Sequence, residues 1–118
     1  MLSTCKRLQV GALIVKDKRI ISYGYNGTPS GFDNCCEENN VTKPEVVHAE
    51  ANAILKVAQS TETTNGGVMY TTHSPCYECA KMIIASGITK FVYEHEYRDN
   101  GGLNLLKQAN VTVEQFNN

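Results

Sequence analysis

The sequence predicts an α/β domain with a five-stranded mixed sheet in a three-layer α/β/α arrangement. One observation is that short apolar segments typical of strands alternate with helix-forming segments from residue 68 onward. Another is a pair of apolar runs near the start of the chain, separated by only two polar residues. The third is size, because 118 residues with 42% hydrophobic side chains suffice for one domain with one core. We therefore expect residues 1–118 to form a single domain.

The first half of the chain is predicted to form a hairpin, a loop and a helix. Residues 9–16 and 19–25 are apolar runs whose two-residue connection favours an antiparallel hairpin. Residues 26–44 contain glycine and proline among polar side chains, which indicates a long loop, and such loops are often functional. A segment rich in helix formers follows, and it predicts a helix over residues 48–60.

The second half is predicted to alternate strands and helices. The expected elements are a strand over 68–72, a helix over 76–86, a strand over 89–94, a helix over 102–109 and a strand over 111–116. Gly87 is well suited to end the helix before it. Strands that are joined by helices should be parallel, with right-handed crossovers. Ligands of such sheets bind where the carboxyl ends of strands lead into helices.

Two short motifs carry the chemistry, His48-Ala49-Glu50 and Pro75-Cys76-Tyr77-Glu78-Cys79. One imidazole and two thiolates are a typical ligand set for Zn²⁺. Three protein ligands leave a fourth position open, which is characteristic of catalytic zinc sites. Glu50 is not needed as a ligand, so it is a candidate general acid and base. Histidine-x-glutamate with proline-cysteine-x-x-cysteine is also the known signature of zinc nucleobase deaminases.

The spacing of the cysteines suits the start of a helix. Ser74 is a good N-cap and Pro75 suits the first helical position, so both cysteines should lie on one face of the first turns. The partial positive charge at that helix end favours the thiolate form that zinc requires.

The histidine and the glutamate need a different arrangement. Residues two apart in a helix point away from each other, so His48 and Glu50 can converge only at a helix end. The sequence therefore predicts that two helix N-termini face one metal ion.

Two other interpretations of the cysteines remain open at this point. A lone Cys-x-x-Cys is also typical of thioredoxin-like redox pairs. A closed structural zinc site would recruit a fourth cysteine from Cys5, Cys35 or Cys36. The combination of both motifs in this order favours the open catalytic site.

Composition excludes several classes of protein. Five cysteines, with Cys35 and Cys36 adjacent, do not resemble a disulfide framework and fit reduced thiols in the cytoplasm, or the host cytoplasm for a viral protein. A net charge of −1 gives no general attraction for nucleic acid. No apolar run approaches the ~20 residues of a membrane span. Local cations such as Lys6, Arg7 and Arg98 could still bind a small anion.

Over nearly its whole length the chain resembles the zinc-dependent cytidine/deoxycytidylate deaminase superfamily, and within it the deoxycytidylate (dCMP) deaminases, including phage forms. The segments that carry this resemblance are Cys5-Lys6-Arg7, Val10-Gly11-Ala12, GYNGTPSG at 24–31, HAEANAIL at 48–55 and SPCYECAK at 74–81. The resemblance implies a cytidine-deaminase-like fold and one deaminase domain. It implies hydrolysis of dCMP to dUMP and ammonia, which supplies dUMP for thymidylate synthesis.

The resemblance also implies roles for individual residues. One zinc ion per chain would be held by His48, Cys76 and Cys79, with Glu50 moving the protons. The nucleotide would contact the further residues Asn26, Ala49, Lys6, Arg7, Tyr97 and Arg98.

Members of this family are often homohexamers that dCTP activates and dTTP inhibits. Such effectors, accompanied by Mg²⁺, would bind near Tyr25, Asn26 and Gly27. Family members usually begin with a helix before the segment at Cys5, whereas only Met1 to Thr4 precede it here. We therefore expect one sheet face to be partly bare, to be covered by a neighbour, or to be completed by further chain.

Two functional alternatives belong to other classes. A non-catalytic, zinc-stabilised nucleotide-binding module would have no use for Glu50. A deaminase acting on RNA or single-stranded DNA would need a basic, aromatic groove. The chain has no tryptophan and few clustered cations, which favours a small nucleotide substrate over nucleic acid.

Overall fold

The computed structural model describes residues 10–26, 37–38, 41–42, 48–96 and 100–116, with the backbone alone at 37–38 and 41–42. The strands are β1 (Gly11–Lys16), β2 (Arg19–Tyr25), β3 (Glu37–Glu38), β4 (Val41–Thr42), β5 (Val68–His73), β6 (Lys90–His95) and β7 (Thr112–Gln115). The helices are α1 (Ala49–Ala58), α2 (Tyr77–Ala85) and α3 (Gly101–Gln108). In the described part of the chain, no helix is long and apolar enough to span a membrane.

Five strands form one mixed sheet in the order β2-β1-β5-β6-β7. Strand β1 pairs antiparallel with both β2 and β5, whereas β5, β6 and β7 are parallel. The five-stranded mixed sheet and the parallel pairing after residue 68 are therefore confirmed. Because β5 and β6 run in the same direction, their carboxyl ends meet at one edge of the sheet, beside the amino end of β1.

The connection between β1 and β2 is the predicted two-residue turn. Asp17 and Lys18 both have positive φ, 52° and 63°. Such a pair of φ values is what a type I′ turn requires, and its twist matches that of the two flanking strands. Asp17 is among the residues preferred at the first position of this turn, whereas Lys18 occupies the second position, where glycine is usual.

The prediction of one long loop over residues 26–44 is wrong in part. Strands β3 and β4 pair antiparallel as a separate two-stranded sheet within that segment. Each strand has only two residues, so neither shows the alternation of apolar and polar side chains that identifies a strand in a sequence. The pattern therefore gave no reason to expect this hairpin.

All three helices lie against one face of the sheet. The crossovers β2-α1-β5, β5-α2-β6 and β6-α3-β7 advance in the same direction across the sheet, and right-handed crossovers of that kind place their helices on the same side. The second helical layer of the predicted three-layer arrangement is not formed by any residue in the described ranges. The core between sheet and helices contains Ile14, Ala53, Val57, Met69, Ile83, Phe91 and Leu106.

Candidate active site

Helix α1 starts where the histidine-x-glutamate motif predicts. His48 is the N-cap residue, with extended backbone angles of φ −69° and ψ 154°, and its carbonyl accepts the first helical hydrogen bond from the Asn52 amide at 2.9 Å. Glu50 lies in the first turn and is buried, with 4% of its surface exposed. Because the chain is still turning into the helix at His48, the imidazole and the carboxyl group can approach the same point.

Helix α2 is capped two residues later than its sequence suggests. Cys76 itself is the N-cap, and its Sγ accepts a hydrogen bond from the Cys79 amide at 3.4 Å. The prediction of Ser74 as the cap and Pro75 as the first helical residue is therefore wrong. The Ser74 amide instead donates to the His95 carbonyl at 2.9 Å, which extends the sheet up to the start of the helix.

The structure brings the ring of His48 and the two cysteine sulfurs together. His48 Nδ1 lies 3.3 Å from Sγ of Cys79 and 3.5 Å from Sγ of Cys76. Within the described part of the chain, these are the three side chains whose ligand atoms lie close enough together to hold one metal ion. Glu50 does not belong to that group, so its carboxyl group remains available for proton transfer.

The spacing and the donor atoms fit zinc. Zinc binds sulfur at about 2.3 Å and imidazole nitrogen at about 2.0 Å, so tetrahedral ligands of these types lie about 3.5 Å apart. The two nitrogen–sulfur distances of 3.3 and 3.5 Å agree with that separation. His48, Cys76 and Cys79 could therefore hold zinc, with Nδ1 as the histidine donor.

The cluster favours one thiolate even before a metal ion binds. Hydrogen bonds with Cys79 and His48 lower the pKa of Cys76 to about 4. The same contact with Cys76 raises the pKa of His48, against an opposite effect of burial. The hydrogen bond to Cys76, together with burial, raises the pKa of Cys79. Loading of the site with a divalent cation would thus release the remaining thiol proton.

The environment of Glu50 suits a group that both accepts and returns a proton. Burial raises the pKa of Glu50 to about 7, and the smaller effects of a backbone hydrogen bond and of His48 act in the opposite direction. A cation bound beside it would also favour the charged carboxylate. A general acid and base is most effective when its pKa lies near the working pH, which this carboxyl group can satisfy.

Two glycines allow neighbouring elements to pack closely against the backbone of the site. A Cβ atom on Gly102 would lie 2.2 Å from the carbonyl oxygen of Pro75, so only glycine lets α3 rest against the backbone that leads into Cys76. A Cβ atom on Gly24 would lie 2.5 Å from the Ala49 carbonyl oxygen, at the start of α1. Sequence reasoning missed both roles, because each depends on a contact between residues distant in the chain.

The remaining predicted site residues are only partly described. Asn26 follows β2, where its side-chain Oδ1 accepts from the Val10 amide at 3.1 Å, and Ala49 is fully buried at the start of α1. Tyr25 ends β2. The other candidates lie outside the described residues, namely Lys6, Arg7, Gly27, Tyr97 and Arg98, together with Cys5, Cys35 and Cys36.

Two histidines that sequence reasoning did not select also lie at the carboxyl edge of the sheet. His73 ends β5 and His95 ends β6, and their ring centroids are 5.3 Å apart. Burial lowers the pKa of His73, and the nearby His95 acts in the same direction. The position of these two histidines could have identified them, because all three histidines of the chain lie at the end of a strand or the start of a helix.

A groove of about 440 Å³ lies elsewhere, on the sheet face that points away from the helices. Its walls include Leu13, Tyr23, Tyr25 and Tyr70, whose positions alternate along the strands with those of buried residues. It contains neither the metal-binding cluster nor Glu50. Of the predicted site residues that the structure describes, only Tyr25 lines it.

The fold and the site together define a class of protein, a mixed α/β domain with a three-ligand metal-binding cluster and a buried carboxyl group at two helix starts. Residues 1–95 match the family described as the cytidine and deoxycytidylate deaminase zinc-binding region. The chain is 38% identical over 109 residues to the deoxycytidylate deaminase of Mycobacterium phage D29, covering 80% of this chain and 84% of that protein. The chain belongs to the cytidine and deoxycytidylate deaminase family.

The chain is also similar to a bacterial protein in sequence and to a solved cyanophage structure in fold. It is 43% identical over 118 residues to ComE operon protein 2 of Bacillus subtilis (strain 168), which covers 96% of this chain but only 62% of that longer protein. It matches the crystal structure of dCMP deaminase from the cyanophage S-TIM5 in complex with dCMP and dUMP with a TM-score of 0.94 and 48% identity. That match covers 98% of this chain and 86% of the cyanophage chain, which confirms the predicted cytidine-deaminase-like fold.

We predict that the purified protein contains about one zinc ion per chain and that Cys79→Ser loses it, because a neutral hydroxyl is a poor replacement for a thiolate. Zinc content measured by elemental analysis checks this. Cys36→Ser is the matched control and should retain the metal ion. Loss of zinc in that control, or two tightly held zinc ions per chain, would contradict the three-ligand assignment.

Proposed function

We propose that the protein hydrolyses dCMP to dUMP and ammonia. The observation that carries this proposal is the convergence of His48, Cys76 and Cys79 beside the buried carboxyl group of Glu50. Support comes from the similarity to the deoxycytidylate deaminase of phage D29 and to the cyanophage enzyme in complex with dCMP and dUMP. In this proposal His48, Cys76 and Cys79 hold zinc, and Glu50 is the catalytic residue that moves protons.

The chain's own contribution to the reaction is proton transfer and positioning. Zinc, when bound, would supply the electrophilic assistance that makes water nucleophilic near neutral pH. Glu50 accepts the proton that this water loses as its oxygen attacks C4 of the cytosine ring. The same carboxyl group passes this proton to ring N3, then accepts the second proton from the hydroxyl group formed on C4 and delivers it to the departing amine. Water adds, the C4–N4 bond breaks, and the overall products are dUMP and ammonia.

Substrate recognition is proposed for residues at the same edge of the sheet. Asn26 follows the carboxyl end of β2 and Ala49 starts α1, so both lie on elements that border the metal-binding cluster. The resemblance adds Lys6, Arg7, Tyr97 and Arg98 near the sugar and phosphate. Charge-assisted hydrogen bonds to a phosphate are among the strongest that proteins form, which suits the two arginines.

Regulation and assembly are proposed from the family resemblance. A homohexamer in the cytoplasm, activated by dCTP and inhibited by dTTP, would bind its effectors near Tyr25, Asn26 and Gly27, with Mg²⁺ accompanying the triphosphate. Such regulation would adjust the supply of dUMP for thymidylate synthesis.

We expect dCMP to be the preferred substrate in a comparison with dCTP, cytidine, deoxycytidine and a cytosine-containing oligonucleotide. Ammonia release by the zinc-loaded protein measures this directly. Preference for the oligonucleotide would favour a deaminase acting on nucleic acid. Binding of nucleotides without ammonia release from any of these compounds would instead indicate a binding module.

Glu50→Gln should lower kcat for dCMP by about 10²–10⁴-fold, since general acid–base catalysis is commonly worth that much. The amide is similar in size, so zinc content and thermal stability should stay near those of the unchanged protein. Glu78→Gln is the matched control, because Glu78 precedes Cys79 but is exposed and pairs with Lys81 at 3.0 Å. Near-normal turnover by a zinc-loaded Glu50→Gln variant would rule out this role.

A further inference from the structure

Helix α1 and strand β2 are joined along a contact that we call the β2–α1 seam, made by Ser22, Gly24 and Tyr25 on the strand and by Ala49, Asn52 and Ala53 on the helix. The seam lies between the helix that presents His48 and Glu50 and the strand that ends at Asn26. Its geometry therefore determines where Asn26 lies relative to the cluster.

The middle of the seam is a direct contact between backbones. A Cβ atom on Gly24 would lie 2.6 Å from the Ala53 amide nitrogen and 2.9 Å from Cβ of Asn52. Real Cβ atoms do not approach other atoms this closely, so the helix lies as near to the strand as glycine permits. Contact of this kind prevents the helix from sliding toward the strand.

Each side of this contact carries one hydrogen bond between a side chain and the backbone. The Ser22 hydroxyl donates to the Ala53 carbonyl at 2.7 Å, and Asn52 Nδ2 donates to the Tyr25 carbonyl at 2.6 Å. The two bonds are similar in length, but they act at different places. Ser22 lies toward the middle of β2, whereas the bond from Asn52 holds the last residue of the strand, next to Asn26.

Asn52 also connects directly to the start of its own helix. Its amide donates to the His48 carbonyl at 2.9 Å. One residue thus joins the turn that presents His48 and Glu50, through its backbone, to the end of β2, through its side chain.

Asn26 is held from the other side by Val10, the residue that precedes β1. Its amide donates to the Val10 carbonyl at 3.2 Å, and its side-chain Oδ1 accepts from the Val10 amide at 3.1 Å. The Tyr25–Asn26 peptide group therefore makes hydrogen bonds in both directions, to α1 through Tyr25 and to Val10 through Asn26. Loss of the bond from Asn52 would weaken the connection of this peptide group to α1.

From this geometry we propose that Asn52 is a positioning residue for substrate binding, which fixes Asn26 against the helix that carries His48 and Glu50. The inference rests on the proposed function, because it assigns to Asn26 a contact with the nucleotide. Asn52 acts through Asn26 and does not itself touch the reacting atoms.

The test is steady-state kinetics of Asn52→Ala with dCMP. We expect KM to rise about tenfold, which corresponds to ~1.4 kcal/mol of lost binding, while kcat and zinc content change little. In a double-mutant cycle, Asn52→Ala should add almost nothing to the KM of Asn26→Ala, since residues that act through one another are not additive. Asn52→Asp keeps the size of the side chain but has no N–H to donate, so it should behave like Asn52→Ala and serves if the alanine variant does not fold.

Ser22→Ala is the matched control. It removes the other hydrogen bond of the seam, and we expect lower thermal stability with KM for dCMP unchanged. Equal rises of KM in Ser22→Ala and Asn52→Ala, or additive effects of Asn52→Ala and Asn26→Ala, would overturn the inference. Absence of dCMP turnover by the unchanged, zinc-loaded protein would overturn the proposed function instead, so the two failures are distinguishable.

Discussion

The rest of the site depends on the contact between one imidazole nitrogen and two sulfurs, of which the nitrogen and one sulfur come from residues that cap helices and the other sulfur comes from Cys79 in the first turn of α2. His48 caps α1 and Cys76 caps α2, and the nitrogen–sulfur distances are 3.3 and 3.5 Å. An N-cap residue has extended backbone angles, so its side chain can point along a direction that no residue inside the helix can reach. This is why His48 and Glu50, two positions apart, can serve one centre. The partial positive charge at both helix starts also favours thiolates there.

The fold provides this contact by bringing each helix start to the same edge of the sheet. Strand β5 leads directly into the turn before Cys76, and Gly102 lets α3 support that turn from the far side. On the near side Gly24 permits α1 to rest on β2. Glycine is used at both positions because backbone must approach backbone, and any side chain would push a helix start out of place. The precision of the cluster is therefore set by packing around it as well as by its own residues.

The sequence predicts the elements that depend on local pattern. The β1–β2 hairpin, the parallel strands and the helix that starts at His48 follow from apolar periodicity, turn length and helix propensity. The start of α2 was misplaced, because Ser74 and Pro75 are statistically good first residues whereas the Cys76 sulfur takes the cap bond. The bond from Asn52 to β2 could not be predicted either, because it depends on how closely a distant glycine lets the helix approach. Local sequence patterns thus identify the ligands, whereas tertiary packing determines their relative positions.

The central claim is that two sulfurs and one imidazole hold the metal ion and leave a position open. X-ray absorption at the zinc edge of the purified protein tests it most directly. The account predicts two sulfur neighbours at about 2.3 Å and two lighter neighbours near 2.0 Å, one of them with the multiple-scattering pattern of imidazole. Three or four sulfur neighbours would show that Cys5, Cys35 or Cys36 closes the site, and would contradict an open catalytic centre.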